Sequence, residues 1–137
     1  MFSTPPPPVP AYKAHVAAIC RANTPALKLY SQRIVDAQQQ NDATASLLNY
    51  RLALGVGLAQ DMAIYAVPVP PAAKTRMAAI LAKLRAQDPL TRQAITAAKN
   101  GDGFTLQSFV SRIDVLGKAA NRLFDAFGMP DCGSRQS

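Results

Sequence analysis

The chain contains no glutamate and no tryptophan, one histidine and two cysteines. All eight acidic residues are aspartates, set against 15 lysines and arginines. Without glutamate, the Glu–Lys pairs that steady an exposed helix cannot form, so helices here must be held by packing. One histidine and scattered aspartates do not lay out the paired titratable groups that hydrolysis or proton transfer needs. Glycine is sparse, at seven residues, which favours helix over turn-rich architectures. Long apolar runs are missing too, because no stretch reaches the ~18 uncharged residues of a membrane-spanning helix. Residues 52–66 come closest and are interrupted by Gln60 and Asp61.

What is present is an alanine-rich chain of 137 residues, 49% hydrophobic and 17% charged, which suits one globular domain. Residues 5–10 are nearly all proline and read as an extended tail or spacer. Docking of a proline-recognising domain there is a lesser alternative. The expected domain runs over residues 11–133, between a proline-rich tail at 1–10 and a short polar tail at 134–137.

Four helical patterns fill that domain. Over residues 11–39, Tyr12, Val16, Ile19, Cys20, Asn23, Leu27, Tyr30 and Ile34 recur at spacings of three and four. Thr24-Pro25 inside the pattern predicts a kink or a break near Asn23. Residues 38–42 are polar and read as a loop. A second helix is expected over 43–67, with Gly55 and Gly57 at its centre. Each glycine costs about 1 kcal/mol against alanine, so close approach of a neighbouring helix is the expected reason for them. No strand precedes Gly-Val-Gly, which removes a nucleotide-binding reading. Pro68, Pro70 and Pro71 end this helix.

The third helix is expected over 71–100, with Met77, Ile80, Leu81 and Leu84 as its apolar stripe. Asp88-Pro89 should kink or restart it, with Asp88 as N-cap. Residues 100–103, Asn-Gly-Asp-Gly, form the strongest turn signal in the chain. The fourth helix, over 104–127, carries Leu106, Phe109, Val110, Ile113, Leu116, Ala120, Leu123, Phe124 and Phe127 at heptad-like spacing. Short links between four amphipathic helices predict an all-α, up-down-up-down four-helix bundle with kinked helices.

That topology returns the end of the fourth helix to the start of the first, and so brings Cys20 and Cys132 to one end. A staple explains two lone cysteines at one end better than two free thiols, provided their Cα atoms come within about 7 Å. Disulfides persist in oxidising compartments, so the expected location is exported, extracytoplasmic, in the envelope or secreted. The opening residues lack the apolar core of a secretory signal, so an export signal or anchor is expected upstream of Met1.

Four segments carry a resemblance: Ala-Ala-Ile-Cys at 17–20, Val-Pro-Val-Pro-Pro-Ala-Ala at 67–73, Ala-Ala-Lys-Asn-Gly-Asp at 97–102 and Phe-Gly-Met-Pro-Asp-Cys-Gly at 127–133. Through them most of residues 11–133 resembles a broad group of small secreted proteins and lipoproteins of high-GC Gram-positive bacteria. The resemblance implies an envelope location and a helical bundle, and it carries no activity to transfer. Its opening residues do not show the signal-peptide pattern or lipid-attachment cysteine of that group, which are expected upstream.

The search for chemistry yields one feature. Catalytic and metal-binding residues are not expected, nor is a cofactor. His15 reads as a surface residue rather than a metal ligand with Met62, Met77 or Met129, or a base for Cys20, and Asp102 reads as a helix cap. The net charge of +7 is concentrated in residues 72–100, where Lys74, Arg76, Lys83, Arg85, Arg92 and Lys99 face only Asp88. On an ideal helix Lys74, Arg85, Arg92 and Lys99 fall within roughly 40° of one another. The ordinary reading is a solvated face with snorkelling side chains. The functional reading is contact with an anionic surface, either lipid headgroups or an acidic protein partner. Nucleic acid is not expected, because no recognition motif is present. The expected function is a non-enzymatic exported interaction or accessory module, associated with a protein partner or membrane complex in the envelope. The alternative is a carrier of a small apolar ligand or lipid, with a cavity where small residues of helices two and four leave space.

Overall fold

The computed structural model describes residues 8–136. Four helices follow one another: α1 (Val9–Gln39), α2 (Ala43–Tyr65), α3 (Lys74–Lys99) and α4 (Gly103–Ala126). A 3-10 turn over Pro71–Ala73 leads into α3, and no strand occurs among the described residues. Of the expected proline-rich tail, residues 1–7 lie outside the described residues, as does Ser137. Val9 and Pro10 already belong to the first turn of α1, where proline's missing N–H costs no hydrogen bond.

Two of the turns are built alike, and their sequences show why. After α1, Asn41 takes a left-handed conformation with φ 55°, and after α3 Gly101 does so with φ 72°. Each is followed by an aspartate that caps the next helix. Asp42 accepts a hydrogen bond from the Ala45 N–H at 3.0 Å, and Asp102 accepts one from the Thr105 N–H at 3.1 Å. Backbone bonds from Asp42 N to Ala37 O and from Asp102 N to Ala97 O close the ends of α1 and α3. Gly128, with φ 78°, repeats the device after α4, where Met129 N bonds to Phe124 O. Asparagine and glycine tolerate the left-handed region where a branched residue would be strained.

Neither internal proline breaks its helix. Helix α1 runs through Pro25 and α3 through Pro89. A proline removes one backbone donor, and long helices packed on both sides of it hold their course. Near Pro25, Asn23 Nδ2 donates to Ile19 O and Thr24 Oγ1 donates to Cys20 O. Near Pro89, Thr91 Oγ1 donates to Gln87 O. Asp88 is therefore not a cap. It lies in the interior of α3 and is buried.

Helix α1 packs on α2, α2 on α3 and α3 on α4, in up-down-up-down order, whereas α1 and α4 are not in close backbone contact along their lengths. The core falls into two parts. One, at the end holding the disulfide, joins Tyr12, Val16, Ile64, Met77, Ile80 and Phe124. The other, around Ala94, Ala97 and Leu106, draws on α2, α3 and α4.

The segment after α4 ties α1 to α4. Cys20 and Cys132 form a disulfide with their Cα atoms 5.2 Å apart. Asp131 pairs with Arg21 at 2.9 Å, which holds its carboxyl below the usual range. Residues 134–136 are part of the fold rather than a loose tail. Gln136 Nε2 donates to Cys20 O at 2.9 Å, and Ser134 N donates to Asp125 Oδ1 at 3.0 Å.

Candidate functional site

Where α1 and α4 stay apart, a half-open cavity of about 240 Å³ lies between the helices. All four helices and the C-terminal segment line it, and every lining residue is buried or half-buried. Its apolar wall includes Leu27, Leu54, Leu58, Ile113 and Phe124. Small residues make the room: Ala53 and Gly57 from α2, Gly117 and Ala120 from α4.

Gly55 and Gly57 are not sites of close helix approach. A Cβ atom added at either position would meet no atom within 4 Å. At Gly57 the missing side chain is part of the cavity, and the helix cost of glycine is offset by no interhelical contact there.

The polar groups of the cavity are organised. Gln60 of α2 and Gln136 form a reciprocal amide pair, each donating to the other at 2.8 Å. Gln136 also donates to Cys20 O and to Thr24 Oγ1, so this pair joins α1, α2 and the C-terminal segment beside the disulfide. Gln87 of α3 donates to Ile113 O of α4 at 3.0 Å. Asn121 contributes a further carboxamide to the wall.

Among the described residues, Asp61 is the only ionisable one lining the cavity, and it is 7% exposed. Asp88 lies within hydrogen-bonding reach of it across the α2–α3 interface and is equally buried. Tyr65, one turn after Asp61, donates its hydroxyl to Asp88 Oδ2 at 2.6 Å. Asp88 Oδ1 is buried and, among the described residues, receives no N–H or hydroxyl donor. Burial first, and then the hydrogen bond and charge of Asp88, push the Asp61 carboxyl up to about 8. A proton held on Asp61 at neutral pH makes it a donor toward Asp88. Burial and the bond to Asp88 likewise hold the Tyr65 hydroxyl protonated far above its ordinary range. The guanidinium of Arg85 lies over the Tyr65 ring, 5.0 Å from its centre. The Asp61 carboxyl therefore carries a proton at neutral pH beside Asp88.

The sequence pattern does not bring this pair together. In it Asp61 stands out only as an interruption of an apolar run, and Asp88 as a cap. The available signal is an aspartate and a tyrosine four apart inside a helix with no reason to bury either.

Lys74, Arg85, Arg92 and Lys99 are all exposed and form a line along α3 rather than a cluster. At 1.5 Å per residue that line is roughly 38 Å long. Arg85 leans onto Tyr65 of α2, Arg92 borders a groove with Thr105 and Phe109 of α4, and Lys99 borders one with Thr44 and Leu47 of α2. None of the four is in an ion pair among the described residues. His15 is exposed on α1. Asp102 caps α4, and its bonds from the Thr105 hydroxyl and N–H hold its carboxyl below the usual range.

No group of three or more metal-ligating side chains occurs among the described residues. No described helix is long and apolar enough to cross a membrane. Compared with family models, with curated proteins and with solved structures, the chain matches none.

Proposed function

We propose that the protein is a non-enzymatic, exported binding module that holds a small, largely apolar ligand in the cavity between its helices. The observation that carries this reading is the cavity itself, with an apolar wall and a few fixed polar groups. A sealed cavity of about 150 Å³ accepts a molecule the size of benzene, so the larger, half-open space here has room for a ligand of at least about six heavy atoms. Binding is favoured over catalysis because burial holds the Asp61 carboxyl protonated at neutral pH and Asp88 already accepts the Tyr65 hydroxyl. The disulfide suits an oxidising compartment, which supports export.

The test is a titration of the protein with neutral compounds of that size, followed by amide chemical shifts. Saturable shifts confined to the residues around Leu58, Ile113 and Asn121 are expected. Shifts that are absent, or that spread over the surface without saturating, would count against the reading.

A second reading is favoured by the line of unpaired cations on α3. It makes the protein an accessory module in the envelope that contacts an anionic lipid surface or an acidic protein partner through Lys74, Arg85, Arg92 and Lys99. Replacing all four by Gln should weaken co-sedimentation with anionic vesicles and leave stability within about 0.5 kcal/mol per site. Unchanged sedimentation would remove the lipid form of this reading.

A further inference from the structure

Among the described residues the cavity wall offers one ionisable side chain, Asp61, and no cation. Asp61 lines the cavity, is 7% exposed, and among the described residues takes no hydrogen bond from any N–H group or hydroxyl. Behind it, Asp88 has one oxygen satisfied by Tyr65 and the other facing no fixed donor. Two carboxyl groups buried together cannot both ionise without a compensating cation. At present a proton fills that role.

We propose that the cavity selects an organic monocation, a primary ammonium group on a short aliphatic body, with Asp61 as the residue that receives the ammonium. This deepens, and rests on, the reading of the cavity as a binding site. An ammonium brings three donors and no acceptor. The Asp61 carboxylate meets one of them, and the side-chain carbonyls of Gln87 and Asn121 lie in the same wall as acceptors for the others. The body of the ligand would lie against Leu54, Leu58 and Ile113. Among the described residues, the lining includes no lysine, arginine or histidine to repel it.

Binding of such a cation exchanges one proton for one ammonium. The Asp61 O–H bond breaks, the proton leaves to solvent, and the carboxylate pairs with the ligand. The groups that face Asp61 are Asp88 of α3, Tyr65 of its own helix and Arg85 beyond the tyrosine ring. What α1, α4 and the C-terminal segment add to the cavity wall carries no titratable group, since Cys132 is in the disulfide. Apparent affinity for the amine should therefore fall about tenfold for each pH unit below the point where Asp61 ionises.

The test uses the full, disulfide-intact chain in phosphate buffer, with pentylammonium and 1-pentanol as matched probes and NaCl as the salt control. Melting temperature is recorded from pH 5.5 to 8. Pentylammonium should raise it increasingly with pH, by mass action, and 1-pentanol should act equally at every pH. Calorimetry in two buffers of different ionisation enthalpy should show one proton released per amine at pH 6.5. In Asp61→Asn the amine response should vanish while the pentanol response remains. If that variant fails to fold, proton release by the unaltered protein decides between the two probes. A pentanol response equal to the amine's, with no proton released, would overturn the cation assignment and leave the cavity reading standing. No response to either probe would overturn both. An equal shift with NaCl would overturn selection of an organic cation.

Discussion

The hydroxyl of Tyr65 on α2 donates a 2.6 Å hydrogen bond to Asp88 on α3, inside the bundle. This bond fixes how the two helices meet at the level of the cavity. In Tyr65→Phe, Asp88 Oδ2 would lose its donor while remaining buried. A buried acceptor left unsatisfied costs about 1–3 kcal/mol, more when charged. The variant should melt lower by that amount in a thermal or denaturant titration. An unchanged midpoint would mean that solvent reaches Asp88 freely.

Asp61 predicts how stability depends on pH. Its carboxyl is raised from an ordinary 3.8 to about 8 in the folded protein. Below pH 4 it is protonated in both the folded and unfolded states and gives no slope. Between pH 4 and 8 the unfolded chain has lost this proton and the folded protein keeps it. Stability from this group is therefore full at low pH and declines as pH rises, by up to about 1.4 kcal/mol per unit, until the folded form also ionises near pH 8. Asp61→Asn keeps a donor for Asp88 and cannot titrate, so the declining limb should flatten. Urea titrations of both proteins at pH 5, 6.5 and 8 measure this directly. Parallel slopes would place the proton elsewhere.

The disulfide closes a loop of 112 residues in sequence separation. In the chain-entropy account, a loop of that length contributes about 4–5 kcal/mol. Reduction, or replacement of Cys20 and Cys132 together by serine, should lower the melting temperature and loosen residues 129–136 from α1. Hydrogen exchange of the Gln136 side-chain and backbone amides reads the second effect. Equal melting temperatures in oxidised and reduced protein would contradict it.

Gly133 sits where the chain folds back on α4. A Cβ there would meet the Asn121 carbonyl oxygen at 2.7 Å, closer than real atoms approach. Gly133→Ala should therefore lower the melting temperature, whereas Gly55→Ala, where no atom lies within 4 Å, should raise it slightly through helix propensity. Equal effects at the two sites would contradict the packing described for the C-terminal segment.

Periodicity carries the fold well. Apolar spacing locates all four helices to within two or three residues, and Asn41 and Gly101 mark the turns because few residues tolerate a positive φ. Topology then brings Cys20 to Cys132 without any local signal between them. The prolines mislead about Asp88, because a cap and a helix interior look alike when only the following Pro89 is read. The aspartate pair is hidden for another reason. Its members are 27 positions apart, and the link over residues 66–73 sets the register of α3 on α2 through an extended stretch and a 3-10 turn whose rise no pattern states. The glycines of α2 are visible, but whether a missing side chain admits a neighbour or leaves a void depends on how far α1 stands from α4. That distance is set by the disulfide and Gln136 at one end.

The central claim is that the space beside Gly57 is a binding site, and Gly57→Leu tests it most directly. The new side chain would enter the cavity without meeting any atom within 4 Å at its Cβ, and it would replace a glycine in a helix interior. Melting temperature of the wild type and of this variant would be measured with and without a saturating small ligand such as 1-pentanol. The account predicts a variant at least as stable as the wild type, with the ligand-induced rise abolished. A variant that melts normally and still gains the full rise would place ligand binding elsewhere and contradict the claim.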